Sequence, residues 1–92
     1  MKFLAALLLG ASVAYALVCG DASHRCKNPD TTVTEMDKVT IDICNELETD
    51  TCYCDNWDER YCDPFGDDVA KFKKQCEQQG EGWYWAEYWR EC

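Results

Sequence analysis

Eight cysteines carry the first chemistry that this 92-residue chain can do. They stand at Cys19, Cys26, Cys44, Cys52, Cys54, Cys62, Cys76 and Cys92. Thiolates at such density either hold a metal or pair. Zinc sites favour two cysteines separated by two to four residues, whereas the closest pair here is Cys52-Tyr-Cys54. An even count in a short chain reads instead as a disulfide framework. Cys52 and Cys54 would point to one face of an extended strand, so each is expected to bond a different partner. Each bridge is worth about 2–4 kcal/mol, which matters in a chain with little core to bury.

Catalytic groups are sparse. His24 is the single histidine, with Ser23 directly before it. Adjacent residues do not form a hydroxyl–imidazole dyad of the kind assembled across a fold. His24 therefore reads as a surface loop residue and the protein as no enzyme. Asp55, Asp58, Glu59, Asp63, Asp67 and Asp68 crowd the stretch DNWDERYCDPFGDD. Their spacing lacks the alternation, central glycine and terminal glutamate of an EF-hand loop, so they read as a solvated loop and helix start, with no metal and no cofactor.

The distinctive surface chemistry lies in the closing GEGWYWAEYWREC, which holds three of the four tryptophans. Tryptophan, tyrosine and arginine dominate the binding energy of protein interfaces, which singles out Trp83, Trp89 and Arg90 as anchors. As a strand, the tail would set Trp83, Trp85 and Trp89 on one face and Tyr84, Ala86, Tyr88 and Cys92 on the other. One face would be core and the other at least partly exposed.

These groups need elements to position them. MKFLAALLLGASVAYA, residues 1–16, has the basic start, short apolar run and small-residue ending of a secretory signal, leaving 17–92 as one disulfide-stabilised domain. VCGDASHRCKNPD reads as a loop, punctuated by Gly20, Asn28 and Pro29. Met36, Val39, Ile43 and Leu47 recur at helical spacing, predicting a helix over about 35–47, with Thr34 and Asp37 as a capping pair. DTCYC predicts a strand over about 51–54, followed by the acidic loop. A second helix over about 64–79 carries the stripe Phe65, Val69, Phe72 and Cys76, with Asp63 or Asp67 as its cap and Gly80 as its stop. The aromatic tail predicts a strand over about 82–86. The expected class is a small disulfide-rich α+β domain.

Eight basic residues stand against eighteen acidic ones once Lys2 is removed with the signal, a net charge of −10. Such a surface disfavours nucleic acid and anionic membranes and suits a basic protein partner.

The signal peptide, eight cysteines, CYC after a helical segment, YCDPFGDDVAKFKKQCEQQG and a tail ending on cysteine together resemble the small secreted cysteine-rich proteins of filamentous fungi, many of them effector- or toxin-like. That resemblance implies an extracellular protein that binds a host molecule, a competing microbe or a cell-wall glycan, and it transfers no functional residue; the expected state is a monomer. The reading that leads is recognition of an extracellular protein partner. One alternative is a small carbohydrate-binding protein, for chitin or glucan, that uses the aromatic face. Another is an inhibitor of a secreted hydrolase acting through a rigid bridged loop such as Cys54–Cys62.

Overall fold

The computed structural model describes residues 17–19 and 22–89. The expected signal sequence, Arg90 and Cys92 lie outside them, and Trp89 is described by its backbone alone. The elements run β1 (Leu17–Val18), β2 (Ala22–Lys27), α1 (Val33–Glu46), β3 (Asp50–Cys54), β4 (Glu59–Asp63), α2 (Asp67–Glu77) and β5 (Tyr84–Trp89). The sheet order is β1-β3-β4-β2-β5. Two-residue β1 pairs in parallel with β3, and every other pairing is antiparallel. From β2 onward this is βαββαβ with the split βαβ connectivity, a small α+β fold.

Both helices lie on one face of the sheet. The bridges Cys44–Cys62 and Cys26–Cys76 tie α1 to β4 and α2 to β2. Strand alternation then sets His24, Cys26, Cys62 and Trp85 toward the helices, and Ser23, Arg25, Lys27, Tyr61 and Tyr88 toward the open face.

The core divides accordingly. Cys26, Ile43, Cys44, Cys62, Phe72 and Cys76 are buried between helices and sheet, with Val39, Leu47, Trp83 and Trp85 packed against them. Cys19, Cys52, Cys54 and Tyr61 form the smaller group, with Tyr88 beside it. Sulfur supplies much of what larger proteins fill with leucine and valine. Cys19 bonds Cys52. Cys54 is disulfide-bonded as well, and no described cysteine is free, so Cys52 and Cys54 do take different partners.

The helical period of Met36, Val39, Ile43 and Leu47 is realised in α1, where Met36 and Ile43 are buried. Its cap is Thr32, not Thr34: the Thr32 hydroxyl accepts from the Glu35 amide at 3.1 Å. Helix α2 is shorter than the expected 64–79. Its cap position is Gly66, at φ 60°, with no side-chain hydrogen bond, so neither Asp63 nor Asp67 caps it. Asp67 and Asp68 fall in its first turn, where they suit the helix dipole. Phe72 and Cys76 are fully buried, but Phe65 precedes the helix and is 86% exposed.

Two segments expected as loops are the central strands. ASHRCK forms β2, flanked by β4 and β5, and ERYCD forms β4. Their polar side chains are buried against specific partners. Beyond the pair His24–Cys62, β2 and β4 diverge, and side chains complete the ladder. The Arg60 amide donates to Asp37 Oδ1 at 2.9 Å, and the Arg60 carbonyl accepts from Arg25 Nη1 at 2.7 Å. The Cys26 amide donates to Thr40 Oγ1 at 3.0 Å.

Candidate functional site

Because β4 is a strand, the expected acidic loop is split between its two ends. Asp55 and Asp58 sit on the β3–β4 hairpin, while Asp63, Asp67 and Asp68 sit on the β4–α2 side. Among the described residues no group of three or more metal-ligating side chains converges. Each end displays one aromatic ring.

On the hairpin, Asp58 adopts φ 54° and accepts a hydrogen bond from the Tyr53 hydroxyl. This turn sets Trp57 against rings of the open face. Its ring lies 6.2 Å from that of Tyr61, tilted by 47°, and 5.3 Å from that of Tyr88, at 64°. Tyr61 and Tyr88 meet edge-on at 5.6 Å and 88°. The three rings, with Lys27 and Glu59, line a cavity of about 340 Å³.

Tyr61 is buried, and its hydroxyl donates to Glu59 Oε1 at 2.7 Å. Burial first, and then this bond, push its pKa well above the usual tyrosine range. The Arg25 guanidinium lies 5.6 Å from the Tyr61 ring centre. Lys27 Nζ donates to the Tyr88 hydroxyl at 2.9 Å and lies 5.4 Å from that ring's centre. Among the described residues Lys27 and Glu59 form no ion pair with each other.

At the other end of β4, Pro64 is buried and Gly66 turns the chain with positive φ, leaving Phe65 in solvent. Asp63 lies directly opposite Asp50 in the β3–β4 ladder, and both are exposed. Like charges so placed oppose pairing.

Of the sequence-derived anchors only Trp83 has a described side chain. Trp83 is half-buried against the helix-side core. Trp89 pairs with Ala22 through its backbone, and Arg90 is outside the described residues. Tyr84, Ala86 and Tyr88 share the open face, as the strand pattern expected, and Trp85 faces the helices. His24 is not a surface loop residue: it is 2% exposed, and its Nδ1 accepts from Trp85 Nε1 at 3.1 Å. Burial lowers its pKa, against the opposing pull of Glu87 and Asp63. The segment Cys54–Cys62 is a hairpin and not a loop closed on itself, because Cys62 bonds Cys44. Sequence reasoning passed over Lys27, Trp57 and Tyr61, and it named Glu59 only within the acidic stretch and Tyr88 only as a face of the tail. The one available signal was Trp57 itself, a large ring stranded among aspartates.

Among the described residues no helix is long and apolar enough to cross a membrane. No family model matches the chain, and neither curated proteins nor solved structures offer a significant match.

Proposed function

We propose that this is a secreted, non-enzymatic binding protein, effector- or toxin-like, that recognises a basic surface on an extracellular protein partner. The observation that carries this reading is Phe65, 86% exposed between Asp63 and the Asp67–Asp68 pair. Burying such a ring would gain about 1.5–3 kcal/mol, and the fold leaves that gain unused. An apolar side chain flanked in sequence by carboxylates suits a partner pocket with a cationic rim. The acidic net charge acts in the same direction by speeding encounter with a basic partner. The bridges favour an oxidising compartment, and the buried, hydrogen-bonded His24 is poorly placed to serve as a general base.

The test is affinity capture from the extracellular fluid that the protein enters, using wild type, F65A and a D63N/D67N/D68N variant. The reading predicts one protein retained by wild type, released by raised salt and lost with both variants. Equal retention by wild type and F65A would refute it.

A further inference from the structure

We propose that the open cavity lined by Trp57, Tyr61 and Tyr88 binds one neutral pyranose unit, the terminal residue of an extracellular glycan. The inference is separate from the docking surface at Phe65 and uses the other end of β4.

Its polar groups carry the argument. Lys27 and Glu59 line the same cavity yet each is held by a different tyrosine hydroxyl, Lys27 by Tyr88 and Glu59 by Tyr61. An ammonium has three donors, so Lys27 has two more to offer. Glu59 uses Oε1 for Tyr61, with Arg25 Nε 3.8 Å from the same oxygen, and among the described residues Oε2 has no bonded partner. A ligand must therefore accept on one side and donate on the other. An anionic ligand would meet Glu59. A cationic one would meet Lys27, with the Arg25 guanidinium behind Tyr61. Neighbouring sugar hydroxyls meet both demands at once, since each hydroxyl both donates and accepts.

Trp57 supplies the apolar wall. It is 39% exposed, and the negative face of an indole attracts the polarised C–H groups on one face of a pyranose. The size is also selective. About 340 Å³ lies at the lower end of the roughly 300–1,000 Å³ found for small-molecule sites. The rings incline to one another by 47–88°, so they form a cup and not a flat platform for a chain lying lengthwise. One end residue fits that shape.

The experiment is an NMR titration of the oxidised protein with glucose, mannose, galactose, N-acetylglucosamine and their soluble oligomers. The indole N–H resonance of Trp57, assigned with W57F, is the readout. We expect a saturable shift with one of these neutral sugars, unchanged by raised salt. W57A, followed through the backbone amide resonances of Tyr61 and Tyr88, should weaken binding at least tenfold, or about 1.4 kcal/mol. K27M and E59Q should each weaken it several-fold without altering the remaining indole resonances. F65A should bind the sugar as wild type does, which separates this site from the protein-docking surface. The inference is overturned if none of these sugars shifts the resonance, if raised salt abolishes the shift, or if W57A or K27M binds as tightly as wild type.

Discussion

Arg25 and Asp37 form an ion pair that stands in for a strand. Together they take the carbonyl and the amide of Arg60 where β2 turns away from β4. Arg25 is wholly buried and also donates toward the Val33 carbonyl at 3.5 Å, so one guanidinium joins the sheet to the start of α1. D37A would leave the Arg60 amide unsatisfied and Arg25 with Glu59 Oε1, 3.8 Å from its Nε, as its remaining ion partner. The expected loss is about 1–3 kcal/mol, read as a lower denaturant midpoint with the bridges intact. An R25M/D37L double variant should also be destabilised, because Arg60 loses both partners at about 1–3 kcal/mol each. A double variant as stable as wild type would show that the pair does not complete the ladder.

His24 makes stability depend on pH. Its Nδ1 accepts the Trp85 indole proton and its Nε2 lies 3.7 Å from Glu87, while Asp63 acts from β4, and Lys73 of α2 sits over Trp85. A protonated imidazole has no acceptor left for Trp85. The folded pKa is below the ordinary 6.5, so the unfolded chain binds more protons between the two values and stability rises with pH there. This contribution is full above pH 6.5 and lost as pH falls through the folded value. Denaturant midpoints at pH 7.5 and at pH 5 should differ more for wild type than for H24Q.

The two helix-anchoring bridges should differ in worth. Cys26 and Cys76 are 50 residues apart, Cys44 and Cys62 only 18. Loop-closure entropy then predicts losses of about 4 kcal/mol for C26A/C76A and about 3 kcal/mol for C44A/C62A. Comparing the thermal midpoints of the two double variants checks the order.

Phe65 touches no core group, so F65A should change unfolding free energy by no more than about 0.5 kcal/mol. A larger loss, by chemical denaturation, would assign Phe65 a structural role and remove the main support for partner docking.

How much was legible followed from how each element is held. The helix stripe Met36, Val39, Ile43 and Leu47 announces itself because water is excluded from one side only. The strands β3 and β5 show through Cys52-Tyr-Cys54 and the alternating aromatics. The central strands β2 and β4 do not, because His24, Arg25 and Arg60 are accommodated by Trp85, Asp37 and each other, and such pairings between distant residues leave no local pattern. The cup was hidden for the same reason: Lys27, Trp57, Glu59, Tyr61 and Tyr88 come from three strands and a hairpin. Aromatic content in the tail could not say which rings pack inward: Trp83 and Trp85 are both half-buried against the helix-side core.

The place of β2 at the middle of the sheet has a consequence for biosynthesis. It is among the first segments to leave the ribosome, yet its neighbour on one side is β5, with His24 aligned to Glu87. Contacts so far apart in sequence form late, and domains are made from the N-terminus at a few residues per second, about 5–20. The central strand therefore waits, open along one edge, until nearly the whole chain has been made. Until residue 76 has been made Cys26 is without its partner, whereas Cys44 and Cys62 can already close. The order in which thiols become available follows the chain, and a chain released before residue 84 lacks the strand that seals its own middle.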